Sequence, residues 1–136
     1  LWYAFNNKWI EFQISCSGYE EDLNVNIYHN FAYELFIDKI TMKLISSLDE
    51  LIRFDKQYGF NSNFRNYTFN NSINWTKVSN NFSGIEINPH IPYHDKRPHW
   101  YSTYDISSGC IWNKSAFQSL KLIAEKDETN HWKLIK

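Results

Sequence analysis

The residues best equipped for chemistry crowd into one stretch, Gly84 to Trp112. It holds Glu86, three of the five histidines (His90, His94 and His99), Arg97, Asp105, Ser107, Ser108 and Cys110. Carboxylates and imidazoles can move protons, a guanidinium can hold an anion, and a hydroxyl or thiolate can attack a carbonyl. All three prolines, Pro89, Pro92 and Pro98, stiffen the same stretch. A long polar loop between two apolar, strand-like runs is a common seat of function.

Each constellation has a plainer reading beside the chemical one. His90, His94 and His99 have zinc-like spacing, but the prolines forbid a continuous helix, so the rings share no predictable face. Ordinary loop histidines are expected, and no metal site is assigned. Glu86 sits between Ile85 and Ile87, and on a strand it points away from both. If the isoleucines enter the core, Glu86 is simply solvated. If the strand lies at the sheet centre, the carboxylate looks into a cleft, where it can act as a base or stabilise a developing cation.

Asp105, Ser107 and Ser108 can close a local turn that satisfies only its own backbone. The chemical version has Ser108 and the Gly109 amide holding an anionic or hydroxyl-rich ligand, with Asp105 fixing the loop. Neither serine sits in a G-x-S-x-G elbow. Cys110 reads as a small buried hydrophobe. Arg97-Pro98-His99-Trp100-Tyr101 sets a cation beside two large rings, which suits a phosphate-plus-base site and an interface anchor equally. A P-loop, a dinucleotide glycine fingerprint, a Cys-x-x-Cys pair and a His-Glu-x-x-His helix are all missing from the sequence, which removes most common cofactor classes.

Composition bounds the rest. A chain of 136 residues is expected to form one domain, 1–136, able to build a core without metal or disulfide staples. A net charge of -1 gives no electrostatic case for non-specific nucleic-acid or membrane binding. Aromatic residues reach 18%, enough to fill a core and also line a groove for flat ligands. Two cysteines, Cys16 and Cys110, make no disulfide framework and are expected reduced. No run has the length of a membrane span; no signal-peptide pattern is visible, and with so few cysteines an intracellular location is expected. The chain opens at Leu1 inside a strand-like run, so a fragment of a longer chain is expected. Five Asn-x-Ser/Thr sites read as a by-product of an Asn-rich composition rather than as glycosylation.

The elements that must position these groups follow from pattern. LWYAF (Leu1 to Phe5) reads as a strand, followed by a helix capped at Asn6 or Asn7 with Trp9, Phe12 and Cys16 on one face, ending at Gly18. Phe31 to Ile37 alternates, and the alternation resumes from Ile40 to Ile45 after Asp38-Lys39, as a hairpin or one kinked strand. Ser47-Leu48-Asp49-Glu50 is a capping box opening a helix with Leu48, Leu51, Ile52 and Tyr58 inward and Gly59 as a left-handed cap. Asn61 to Asn71 reads as a strand edge or loop. Asn74 caps a short helix with Trp75 and Val78 inward. Strands are expected at Ile85 to Ile87 and Gly109 to Trp112, then a helix from Asn113 through Leu120. Two closing strands, Leu122 to Glu125 and His131 to Ile135, are joined by a turn at 127–130. The fold expected is α+β: a mixed, largely antiparallel split sheet with three or four short helices.

Several of these pieces occur in a familiar order: LWYAF, ELIRFDKQYG, INWTKV, GIEINPHIPY and WYSTYDISSGCIW. They resemble a sparsely characterised family of large viruses and microbes with a GLWYS-like opening, an IDW–V–GIEI–PY segment and a WY–WD–SGCIW segment. The likeness covers most of the chain, and Tyr104 stands where the family pattern carries Trp. The opening strand, split sheet and strand-borne glutamate look like an ADP-ribosyltransferase-type fold, which implies NAD as co-substrate. On that resemblance Glu86 stabilises the ribose cation and Asp105 assists. Tyr93, Arg97, His99, Trp100, Tyr101, Ser107 and Ser108 form the pocket, and an unknown protein or nucleic acid is the acceptor. The alternative is a non-catalytic interaction or structural module, of viral type, using the aromatic-rich 89–104 loop; a metal-dependent hydrolase comes third. Each of these readings is expected to need Glu86 to open onto the same hollow as the serines.

Overall fold

Along Gly84-Ile85-Glu86-Ile87, small and polar residues alternate with isoleucines, and this strand fixes the architecture. In a computed structural model of the protein all four are buried. The structure describes residues 1–6, 8–9, 11–12, 30–60, 72–129 and 131–135. Among them the strands are β1 (Trp2–Ala4), β2 (Phe31–Ile37), β3 (Met42–Ile45), β4 (Gly59–Phe60), β5 (Ser72–Ile73), β6 (Gly84–Ile87), β7 (Ser108–Ile111), β8 (Phe117–Lys126) and β9 (Trp132–Leu134). Two α-helices are described, α1 (Leu48–Tyr58) and α2 (Trp75–Ser79), besides short 3-10 turns at His99–Thr103 and Lys114–Ala116. Lys8, Trp9, Glu11 and Phe12 are also helical. The class is α+β, with one mixed sheet and two antiparallel ones among the described residues.

A four-stranded sheet has the order β1-β7-β6-β3, antiparallel except for the parallel β3–β6 pair. A second sheet, β2-β8-β9, is wholly antiparallel. Register divides the first sheet into two faces. Ile85 pairs with Cys110 and Lys43, and Ile87 with Ser108 and Ile45. These residues face α1, where Ile45, Leu51, Phe54, Tyr58, Val78, Ile85, Ile87 and Tyr101 form the main core. Glu86 pairs with Gly109 and Leu44, and Gly84 with Ile111 and Met42, on the opposite face. There Met42, Ile111 and Ala116 make a smaller core against Leu35 and Ile37 of β2. Both faces of β6 are therefore covered, which explains its burial on both sides.

Helix α1 begins as its sequence directs. The Ser47 hydroxyl accepts from the Glu50 amide at 3.3 Å, a cap worth about 1 kcal/mol. Glu50 reaches one residue further back than a capping box requires, accepting from the Ser46 amide at 2.7 Å and its hydroxyl at 2.9 Å. The buried stripe is Leu51, Phe54, Asp55 and Tyr58, rotated from the expected one, with Ile52 only half-buried. Gly59 is extended (φ -75°), because the chain passes directly into β4 instead of curling into a left-handed cap. Asn74 caps α2 as expected, accepting from the Lys77 amide at 2.9 Å.

Three other expectations are corrected. β2 and β3 neither pair with each other nor continue one another; Asp38 to Thr41 carries the chain between the two sheets. The helix expected from Asn113 to Leu120 is a single 3-10 turn followed by β8. Asn113 does cap, accepting from the Ser115 amide at 3.0 Å, but pairing with β2 then holds Phe117 onward extended. Trp75, expected inward, is 42% exposed. Cys16, Gly18 and the Asn61 to Asn71 segment lie outside the described residues.

Candidate functional site

Glu86 is only 6% exposed, and both of its oxygens are held. Oε2 accepts from the Tyr3 hydroxyl at 2.9 Å, and Oε1 from Lys39 Nζ at 2.7 Å. Tyr3 comes from β1, which is separated from β6 by β7. Its ring must cross β7, and it does so over Gly109, the residue in register with both Tyr3 and Glu86. A Cβ on Gly109 would collide with the Tyr3 ring, so a glycine in this strand interior marks a close approach rather than a turn. Lys39 arrives from the connection between the two sheets and lies 5.4 Å from the centroid of Phe5, whose ring touches that of Tyr3. Burial first, and then the hydrogen bond to Glu86, push the Tyr3 phenol up, so it remains a proton donor to the carboxylate.

The loop from Asn88 to Ser107 packs on the other face of the sheet, beside α1. Tyr101 is fully buried at its centre and stacks on Tyr104 with centroids 4.9 Å apart. The Tyr101 hydroxyl accepts from the Ile91 amide at 3.1 Å. Trp100 donates its indole N–H to the buried Asp55 of α1 at 3.0 Å and contacts the rings of Phe54, Trp75 and Tyr104. Arg97 donates to the Ile91 carbonyl at 3.2 Å and lies between the rings of Tyr101 (5.3 Å) and Tyr93 (5.7 Å). His90 stacks on Tyr101, its Nε2–H donates to the Tyr104 carbonyl at 2.8 Å, and its amide donates to the Ser107 hydroxyl at 2.7 Å.

The expected single site is therefore divided. Ser108 shares a face with Ile87, not with Glu86, because neighbouring positions on a strand point to opposite sides. Tyr93, Arg97, Trp100, Tyr101 and Ser107 gather in the loop assembly with His90. Asp105 is exposed, and His99 is exposed at the start of the 3-10 turn. The common hollow expected for the carboxylate and the serines does not form, so any functional reading has to stand on one of the two clusters alone. Nor do the histidines form a ligand set: His94 Nδ1 accepts from the Lys96 amide at 3.1 Å, and His90 Nε2 is engaged by the Tyr104 carbonyl. Among the described residues no group of three His, Cys, Asp or Glu side chains is placed to hold an ion. Lys39 and Tyr3, which complete the Glu86 cluster, carried no chemical signal in sequence. The interior Gly109 was the one local hint of the crossing.

Two further features belong here. A hollow of about 230 Å³ lies between Ser46, Ser47 and Leu48 at the start of α1 and residues Pro89 to His94 of the loop. The Tyr104 hydroxyl is buried without a hydrogen-bond partner among the described residues, and burial raises its ionisation well above the usual phenol range. A buried hydroxyl left unpaired costs more than an apolar edge of the same shape. Tyr104→Phe is therefore expected to leave stability unchanged or raise it by up to about 1 kcal/mol in urea unfolding; a loss of 1 kcal/mol or more would mean the hydroxyl has a partner.

Comparison with known proteins supplies no relative. No family model, curated protein or solved structure matches the chain.

Proposed function

We propose that the protein is a non-catalytic interaction module presenting the 89–97 part of its aromatic loop to a protein partner. One observation carries this reading: Tyr93 is 81% exposed, yet its ring lies against an arginine that is itself fastened to the loop. An exposed ring on a preorganised support loses little entropy on docking, and Tyr and Arg are the side chains most often found as binding anchors. The hollow beside Tyr93 offers a concave rim for a partner side chain. The test is affinity capture from extract of the source cells, followed by affinities of the captured protein for the parent, Tyr93→Ala and Glu86→Gln. Tyr93→Ala is expected to bind at least about tenfold more weakly and Glu86→Gln like the parent. Equal binding by parent and Tyr93→Ala would sink the proposal.

A second reading keeps the ADP-ribosyltransferase-like activity, with NAD as donor and an unknown protein or nucleic-acid acceptor. The buried carboxylate at the sheet centre supports it, since a fixed anion in a dry setting stabilises a developing oxocarbenium charge. This reading gives up Ser107, Ser108 and the loop residues as ligand groups, and leaves Tyr3 and Lys39 on Glu86 with Phe5 beside Lys39. On this reading the protein releases nicotinamide from NAD, and Glu86→Gln lowers the rate about 100-fold or more. Turnover that survives the substitution removes Glu86 from the chemistry.

A further inference from the structure

Lys39 occupies its place as a ligand would. Its ammonium has a carboxylate oxygen at 2.7 Å and an aromatic ring centroid at 5.4 Å, while Tyr3 pins the second carboxylate oxygen and fixes the anion's orientation. A buried anion with a ring beside it is the arrangement that recognises an organic cation. Burial is lopsided: the Glu86 side chain is 7% exposed, the Lys39 side chain 48%. The carboxylate is thus a fixed receptor, and the ammonium reaches it along a solvated stem. The backbone behind that stem is tied down separately. The Asp38 amide donates to the Ala116 carbonyl at 2.9 Å, the Ile40 amide to Asp38 Oδ1 at 2.9 Å, and the Met42 amide to the Lys39 carbonyl at 3.1 Å. Only side-chain torsions need change for Lys39 to withdraw into solvent.

We propose that Glu86, Tyr3 and Phe5 form a binding site for a primary ammonium group on an unbranched alkyl chain, and that Lys39 is an internal plug in that site. The biological form of such a ligand is a lysine side chain of a partner protein. An incoming lysine reproduces the charge-assisted hydrogen bond and the ring contact that Lys39 gives up, so exchange conserves the interactions and only occupancy changes. The site lies on the sheet face opposite Tyr93 and does not depend on the loop reading.

The test is chemical rescue. Lys39→Ala empties the site while leaving the turn's backbone bonds possible. Saturating n-butylammonium chloride is expected to raise the melting temperature of Lys39→Ala by about 3 °C more than that of the parent. Tetramethylammonium chloride at equal ionic strength should give no such difference. Adding Glu86→Gln to Lys39→Ala should abolish the selective rise, and saturable shifts of the Tyr3 and Gly109 amide signals should accompany it. Nα-acetyl-lysine methylamide, standing for a protein side chain, should rescue as well as butylammonium; rescue by putrescine alone would overturn the lysine assignment. Equal responses of parent and variant to both salts would overturn the site. If Lys39→Ala does not fold, Lys39→Ser enters the same titration with the same outcomes.

Discussion

Replacing Tyr101 by alanine is expected to cost about 3–5 kcal/mol in urea unfolding, the range for deleting a fully buried ring. The ring is fully buried, stacks on Tyr104 and His90, carries Arg97 on its face and accepts from the Ile91 amide. Its removal leaves a cavity and orphans a buried amide at once. Tyr101→Phe separates the two: the ring stays, one hydrogen bond goes, and the loss should be about 1–2 kcal/mol. Because Arg97 rests on this ring and Tyr93 rests on Arg97, Tyr101→Ala should also weaken binding through Tyr93 without touching the partner. A cost below 1 kcal/mol for the alanine variant would mean that the loop is not organised around Tyr101.

Gly109→Ala should cost about 2–3 kcal/mol, as overpacking of a filled site does. The added methyl meets the Tyr3 ring, which must leave its position over β7 and release Glu86. The collision is with a side chain from an edge strand, so the penalty belongs to a pair. In a Tyr3→Ala background the same substitution should cost less than 1 kcal/mol, giving a coupling of about 1–2 kcal/mol by a double-mutant cycle. Additive costs would place the obstruction in the backbone and leave the crossing of β7 unsupported.

Local signals in the sequence match the structure where the chain answers to itself. Ser47 and Asn74 cap the helices they precede. Glu86 and its flanking isoleucines alternate on a strand, and the turn between β8 and β9 falls at Asp127, whose carboxylate accepts from the Thr129 and His131 amides. Long-range pairing was not legible. Leu122 to Glu125 reads as a strand and is one, but Phe117 to Leu120 carries no local mark separating strand from helix until β2 lies beside it. The partners of Glu86 come from 83 and 47 residues away, and one of them, Lys39, shows in the sequence only as a break in an alternating run. Clustering along the chain suggested that Glu86 and the serines share a site. Strand alternation places Ser108 on the other face, and proximity in sequence gave the wrong neighbour.

The separation of the Glu86 cluster from the loop assembly is the claim on which the other readings rest, and double-mutant cycles measure it directly. Unfolding free energies of Glu86→Gln, Lys39→Ala and their combination should show a coupling of about 1–2 kcal/mol, moderated by the solvent around Lys39. The same cycle with Ser107→Ala, on the loop side, should show additivity within about 0.5 kcal/mol. Strong coupling to Ser107 together with none to Lys39 would put the carboxylate back in the loop's hollow and contradict the division of the sheet described above.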